Sequence, residues 1–290
     1  MPSPHSQFEG EILPPTDPTP VADSAPAEAY TPQQARRRRE YSDWDPRSAP
    51  GTYLLLAINC AVYLWMVTHG VDPRDPSEAN LLHYGANQTY LVLHGQWYRL
   101  LTATFVHVGL IHLATNMWCL WNLGMLGEPL IGPFGMVAVY FITGIAGNLL
   151  SMASNVFGDL ATHDPLILQQ VGAGASGAVF GIAGILIVLL SNRRLPFPWE
   201  VLRSLRRRVV QFAAINLVIG LGTDLPFINV GIRIDNMAHI GGFLSGLALG
   251  VPLVPRMTAG RELYLSRQKV TFAAACFLLA LFGYGIANML

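Results

Sequence analysis

The chain has 290 residues, of which 52% are hydrophobic and only 12% are charged. An ordinary soluble domain carries about 25% charged residues, so the composition argues against a soluble fold. The formal net charge is zero, which gives no reason to expect a nucleic-acid partner. Cys60, Cys119 and Cys276 all fall inside apolar runs, so neither a disulfide framework nor a cysteine metal site is expected.

Residues 1–50 differ in composition from the rest of the chain. They hold 10 of the 20 prolines and 13 of the 36 charged residues, without apolar periodicity. Such a segment cannot bury enough apolar surface to offset the entropy of ordering it, so we expect a disordered cytoplasmic tail at 1–50. No secretory signal is recognised in it. We interpret the four arginines at 36–39 as a topology determinant rather than a nucleic-acid patch.

Seven apolar stretches of roughly 18 to 24 residues follow Gly51, each about long enough to cross a 30 Å hydrocarbon core. They lack the alternation of barrel strands, and backbone groups in lipid must be satisfied internally. We therefore predict an all-α, polytopic helical membrane protein. The predicted spans are 52–69, 105–126, 133–155, 175–191, 209–227, 236–254 and 270–290.

Lysine and arginine are unevenly divided between alternate connections. One set of connections holds 15 of them, and the other holds only Arg74, Arg99 and Arg233. Because cytoplasmic flanks retain positive charge, we predict a cytoplasmic N-terminus and an extracytoplasmic C-terminus. The connections at 70–104, 156–174 and 228–235 then face outward. Arginine outnumbers lysine 17 to 1 and the tail is acidic, which favours a bacterial plasma membrane over a mitochondrion.

Polar side chains inside predicted spans are costly in lipid and mark candidate functional sites. His112 and Asn116 lie four residues apart, on one face of the second span. Ser176 lies where the fourth span begins from the outside. His239 lies about 6 Å below the outer start of the sixth. We therefore expect Ser176 and His239 to meet at similar depth below one membrane surface.

These residues have the chemistry of a nucleophile, a base and an oxyanion site. A serine becomes a good nucleophile when a base takes its proton, and an imidazole is suited to that work. Helix-start amides, His112 and Asn116 supply donors for an oxyanion. Two other interpretations stay open here, close helix packing by small residues and a metal or haem at His107 and His112. A metal needs three or four ligands, and neither a His-Glu-x-x-His pair nor suitable cysteines are present.

The order and spacing of several motifs together resemble the rhomboid family of intramembrane serine proteases. The motifs are Trp97-Tyr98-Arg99, His107 with His112-x-x-x-Asn116, Glu128, Gly174-Ala175-Ser176-Gly177, and Ala238-His239-Ile240-Gly241-Gly242 with Gly246. The resemblance covers about residues 52–254 and implies a six-helix catalytic domain at 51–254. Residues 255–290 then supply a cytoplasmic linker and the extra C-terminal transmembrane helix of one family variant.

The resemblance also implies roles for individual residues. Ser176 is implied as the nucleophile and His239 as the general base of a dyad, with His112, Asn116 and the Ser176 amide stabilising the oxyanion. A second set is implied to be structural: Trp97, Arg99, Glu128, Phe180, Gly242 and Gly246. Within that set, Gly242 and Gly246 let the sixth helix pack tightly against the fourth.

Two residues near the dyad need separate interpretation. Many family members carry a tyrosine one helical turn after the nucleophile, whereas Phe180 keeps a ring to pack beneath His239 and loses the hydroxyl. Asp235, four residues before His239, suggests a triad. Its position at a helix start makes N-capping the preferred interpretation.

The predicted function is an intramembrane serine endopeptidase that cleaves transmembrane or juxtamembrane segments of other membrane proteins, without a metal or organic cofactor. The expected partners are these substrates and membrane lipid, and no nucleic acid. Because a helix shields its peptide bonds, we expect small residues at the cleavage site and helix-weakening Gly or Pro nearby. Substrate entry is expected near the fifth helix, at 220–224.

Two alternatives belong to other functional classes. A non-catalytic rhomboid-like protein binds client helices, and its expected signature is loss of the serine or histidine, yet both Ser176 and His239 are present. A transporter often shows internal repeats with interrupted helices, and no convincing repeat is found.

Overall fold

The computed structural model of the chain describes residues 47–223 and 234–289. The predicted tail therefore lies outside the described residues, except for its last four positions. Most of the predicted outer connection at 228–235, including Arg233, lies outside them too, as does Asp224 at the end of the predicted entry segment. For residues 221–223 only the helical backbone is described.

Within the described residues the fold is all-α, as predicted. Two 3₁₀ turns cover Pro165–Gln169 and Arg256–Thr258, and a short antiparallel ladder joins β1 (Asn87–Gln88) to β2 (Val171–Gly172). The helices are α1 Pro50–Thr68, α2 Glu78–His83, α3 Thr89–Leu93, α4 Arg99–Thr102, α5 Leu110–Thr162, α6 Ser176–Leu189, α7 Trp199–Thr223, α8 Asn236–Gly250 and α9 Arg261–Ala287.

Helix α5 is two helices joined at a break. Gly132 has φ 77° and ψ 165°, a conformation open to glycine and strained for other residues. The next residue is Pro133, which has no N–H to donate and disfavours a helical conformation in the residue before it. The second and third predicted spans are therefore the two halves of α5, with only Gly132 non-helical between them.

Three described helices, α1, α5 and α9, are long and apolar enough to cross a membrane. Helix α6 is equally apolar but has only 14 residues, fewer than the ~20 needed to span the hydrocarbon core. Each of the seven predicted apolar stretches still coincides with one helical segment, and the chain is an integral membrane protein.

The predicted starts of three spans are wrong. The second span was expected from 105, but the helix begins at Leu110, because the preceding residue, Gly109, has φ 95° and is not helical. Helices α7 and α9 begin at Trp199 and Arg261, well before the expected starts at 209 and 270. In both, charged residues that are unsuited to the hydrocarbon core continue the helix beyond the apolar stretch.

Helix α6 lies at the centre of the bundle. Ile182, Ile185 and Leu186 are at most 1% exposed, and α5, α7 and α8 pack around it. A helix that is apolar all round must be buried or face lipid, and α6 is buried within the protein. This short central helix fixes the depth of Ser176, its first residue.

Helices α6 and α8 touch backbone to backbone. An added Cβ at Gly242 would collide with the carbonyl oxygen of Gly177, and one at Gly246 would collide with that of Gly181. Small residues allow such close helix approach in membrane proteins. The contact brings the first turns of α6 and α8 side by side, and those turns carry Ser176 and His239.

Candidate active site

Ser176 is half-buried at the start of α6. The segment before it is held from two sides. The Gly174 N–H donates to the Ala103 carbonyl at 2.9 Å, and Gly172 pairs with Asn87 in the β ladder. The backbone that leads into α6 is therefore held in place, and Ser176 lies in the first turn of the helix, where the backbone amides lack intrahelical partners.

His239 lies in the first turn of α8 and is 5% exposed. Its ring stacks on Phe180, with centroids 4.3 Å apart and planes inclined by 14°. Phe180 follows Ser176 by four residues, so the two side chains share one face of α6. The imidazole therefore lies against the face of α6 that carries the serine.

Asp235 caps α8, as the sequence predicts. One carboxylate oxygen accepts the Ala238 N–H at 2.9 Å, and the other accepts the Ser151 hydroxyl of α5 at 2.6 Å. His239 Nδ1 is buried and has no hydrogen-bond partner within the described residues. The carboxylate is thus used for the cap and the tie to α5, and the geometry is not that of a triad.

His112 approaches the serine turn edge-on. A Cβ added to Gly174 would lie 2.6 Å from His112 Cε1 and 3.0 Å from Nε2, so the missing side chain makes room for the imidazole. The Val108 N–H donates to His112 Nδ1 at 3.3 Å. A neutral imidazole that accepts at Nδ1 carries its proton on Nε2, so the N–H of His112 is at the edge beside Gly174.

Asn116 and His107 flank His112. Asn116 is 6% exposed, and its amide donates to the His112 carbonyl at 2.9 Å. The ring of His107 lies 5.4 Å from that of His112, and its Nδ1 faces the Phe105 carbonyl at 3.1 Å. His107 is completely buried, and its Nε2 has no partner among the described residues.

Glu128 lies at the opposite end of the bundle from Ser176 and His239. It is 2% exposed and accepts the Gly51 N–H at 2.8 Å, together with the N–H and hydroxyl of Thr52, each at 2.7 Å. The two amides belong to the first turn of α1, where intrahelical acceptors are missing and negative charge is favoured. Glu128 therefore anchors α1 to α5.

Arg99 organises the connection between α1 and α5. It is 7% exposed, and its Nη1 donates to the carbonyls of Leu82 and Ala86, both at 2.8 Å. The indole of Trp97 lies against Gly283 of α9, 3.3 Å from an added Cβ. An apolar cavity of about 440 Å³ opens between Trp97, α5 and α9, and its lining includes neither Ser176 nor His239.

Sequence reasoning missed three features of the site: the β ladder, the Ser151 tie to Asp235 and the placement of His107. A two-residue strand leaves no alternation to detect. Ser151 is one of several small residues in an apolar helix, so it carries no individual signal. Across residues 47–223 and 234–289, no group of three or more His, Cys, Asp or Glu side chains is arranged to hold a metal ion.

Comparison with known proteins identifies the same family as the motifs. The family profile described as Rhomboid domain matches residues 94–256. The chain is 32% identical over 225 residues to Rhomboid protease GluP of Bacillus subtilis (strain 168), covering 76% of this chain and 39% of that protein. It is 30% identical over 239 residues to Rhomboid protease AarA of Providencia stuartii, covering 78% and 79%.

A plant relative shows the same similarity over a shorter segment. RHOMBOID-like protein 2 of Arabidopsis thaliana is 35% identical over 193 residues, which cover 64% of this chain and 52% of that protein. The chain thus spans most of AarA but only 39% of GluP and about half of the plant protein.

Proposed function

The chain belongs to the rhomboid family of intramembrane serine proteases, and we propose that it cleaves membrane proteins through a Ser176–His239 dyad. The bond cleaved lies in or beside a transmembrane segment of the substrate. The observation that carries this proposal is the stacking of His239 on Phe180, one helical turn from Ser176. The backbone contact between α6 and α8 supports it by holding the two first turns together.

The proposed cycle uses His239 first as a base and then as an acid. The imidazole accepts the proton of the Ser176 hydroxyl while the serine oxygen attacks the substrate carbonyl. The tetrahedral intermediate collapses, the C–N bond breaks, and His239 returns the proton to the leaving amine. Water then attacks the acyl-enzyme, His239 takes a proton from that water, and the serine oxygen leaves with it. The cycle needs no metal or organic cofactor.

Three donors are proposed to stabilise the oxyanion: His112 Nε2–H, the amide of Asn116 and the backbone N–H of Ser176. The His112 tautomer supports this, since Nδ1 accepts a backbone hydrogen bond and leaves the proton on Nε2. Asn116 donates to the His112 carbonyl in the free protein. Its second amide hydrogen can serve the oxyanion. Losing one such donor costs about 10²–10³ in rate.

Substrates are proposed to enter sideways from lipid, beside α7. Helix α7 contacts the first turn of α8 at Gly220, where an added Cβ would collide with the Asn236 side chain. Asn236 lies three residues before His239. Lower down, Phe212 of α7 lies 6.2 Å from Phe180. A substrate that reaches the dyad must expose its peptide bond, which supports small residues and helix-weakening Gly or Pro at the cleavage site.

The proposed orientation places Ser176 toward the outside of a bacterial plasma membrane, with a cytoplasmic N-terminus. The position of Arg256 supports this orientation. Arg256 lies against Gly132, at the end of the bundle that also holds Glu128, and basic residues are retained on the cytoplasmic side of a membrane. We assign 51–254 as the catalytic domain and 255–290 as a cytoplasmic linker and seventh transmembrane helix. Thiol-specific labelling of single cysteines at either end, in intact cells, tests the orientation.

Cleavage of a single-span membrane substrate by the purified protein in liposomes tests the catalytic proposal. Ser176→Ala and His239→Ala should each abolish cleavage, because removing a nucleophile or its base costs about 10⁴–10⁶ in rate. The matched controls are Ser245→Ala, which removes a hydroxyl that donates to the Gly242 carbonyl of the same helix, and His94→Ala, on an exposed turn. Cleavage by Ser176→Ala at the wild-type rate would refute the dyad and favour a client-binding function.

A further inference from the structure

Six arginines gather in one short segment at the end of the bundle opposite Ser176. Only one acidic residue, Glu200, falls among them, so residues 193–208 carry a formal charge of +5. The arginines are Arg193, Arg194, Arg203, Arg206, Arg207 and Arg208, and all but the half-buried Arg206 are exposed. Helix α6 has 14 residues, which separates this segment from Ser176 by about 20 Å.

Two of these arginines are held by the same indole. The guanidinium carbon of Arg193 lies 4.7 Å from the ring centroid of Trp199, and that of Arg206 lies 5.5 Å from it. The two guanidiniums are therefore within about 10 Å of each other. Arg206 also donates to the Ser191 hydroxyl at 2.9 Å. In the part of the chain that the structure describes, neither guanidinium is paired with a carboxylate.

The segment is fixed to the protein and open to its surroundings. Leu195 and Leu202, which bracket the turn, are 4% and 2% exposed and anchor it in the core. Phe197 and Val201 are 49% and 45% exposed beside the arginines. The end of the bundle thus presents arginine, aromatic and aliphatic side chains together. This combination is typical of the membrane interface, where phospholipid headgroups meet acyl chains.

We propose that Arg193 and Arg206, held on Trp199, form a binding site for the headgroup phosphate of an anionic phospholipid. A guanidinium fork matches the geometry of phosphate oxygens. The neighbouring arginines create a positive potential, which attracts a headgroup with a net negative charge more strongly than a zwitterionic one. Phe197 and Val201 contact the first acyl carbons. The site is separate from the dyad and exists whether or not the dyad is catalytic.

Thermal unfolding of the full chain in a neutral detergent tests this site. The probes are dihexanoyl-phosphatidylglycerol, dihexanoyl-phosphatidylcholine and inorganic phosphate, each titrated over the same concentrations. The phosphatidylglycerol should raise the unfolding temperature, and the other two should not. The Arg193→Gln/Arg206→Gln variant should need about 30-fold more phosphatidylglycerol for the same rise in unfolding temperature, because each arginine contributes about five-fold in affinity. Arg193→Gln alone should need about five-fold more, which keeps the test open if the double variant unfolds.

The matched control is Arg261→Gln/Arg267→Gln, which removes the same charge from two exposed positions of α9. It should respond to phosphatidylglycerol as the wild type does. An equal loss of response in this control would mean that only net charge matters and would overturn the site. An unchanged response in the Arg193 and Arg206 variants would overturn it too. If inorganic phosphate raises the unfolding temperature equally, the ligand is a free anion, and the proposed lipid site is overturned.

Discussion

The imidazole of His239 lies 4.3 Å from the ring of Phe180, and the two planes are inclined by only 14°. A stacked ring restricts rotation of the imidazole without offering it a hydrogen bond. Because Nδ1 of His239 has no partner in the described part of the chain, packing rather than a carboxylate positions this imidazole.

Replacing Phe180 tests whether the ring or its polarity matters. Aromatic stacking contributes about 0.5–1.5 kcal/mol beyond burial, so Phe180→Leu should lower kcat about 2- to 12-fold. Phe180→Tyr keeps the stack and should remain close to wild-type activity. Substrate cleavage rates in liposomes measure both. Phe157→Leu, at a 52% exposed position, is the control. Wild-type kcat in Phe180→Leu would show that stacking does not position His239.

Asp235→Asn separates a helix cap from a catalytic triad. Asparagine caps helices about as well as aspartate, so we expect kcat/KM to fall no more than several-fold. In a serine protease triad the equivalent change lowers kcat by about 10⁴, and a loss of that size would contradict the assigned role. Ser151→Ala removes the tie to Asp235 and should lower the unfolding free energy by about 1–3 kcal/mol, measured in denaturing detergent mixtures.

Glu128→Ala should destabilise the protein without changing its chemistry. The substitution leaves the buried N–H groups of Gly51 and Thr52 without acceptors, at about 1–3 kcal/mol for each unsatisfied group. Glu262→Ala, exposed in the first turn of α9, should cost less than about 1 kcal/mol. Thermal unfolding measures both. Equal effects would mean that the carboxylate does not anchor α1.

Two glycine substitutions test the contact between α6 and α8. Gly246→Ala places a Cβ against the Gly181 carbonyl, so α8 must move, and we expect a loss of at least about 1–3 kcal/mol in stability together with lower kcat. Gly285→Ala in α9 meets no atom within 4 Å and should be neutral or stabilising by about 0.5–1 kcal/mol. If both variants cleave and unfold alike, the close contact is not needed for activity.

Hydropathy predicted the helical architecture because apolar length is a property of the chain alone. It could not predict the nearly continuous α5, since Gly132 interrupts the helix at one residue where a loop was expected. It also missed the early starts of α7 and α9, because charged residues end an apolar stretch but continue a helix.

The positions of the candidate site residues were predictable where single residues carry the signal. Ser176 and His239 are polar residues near the ends of two apolar segments, and Asp235 stands at a helix start. The direction of the His112 proton was not predictable, because it depends on a hydrogen bond from Val108. The Ser151 tie to Asp235 joins residues 84 positions apart, and no local pattern marks such a pair.

The most direct measurement of the central claim is covalent labelling of the serine by a fluorophosphonate, located by mass spectrometry of the full chain in detergent. A serine activated by a base attacks phosphorus and displaces fluoride. We predict a single adduct on Ser176 in the wild type, at least about 100-fold slower labelling in His239→Ala, and wild-type labelling in His94→Ala. An adduct on another residue, or equal labelling of Ser176 without His239, would contradict the dyad.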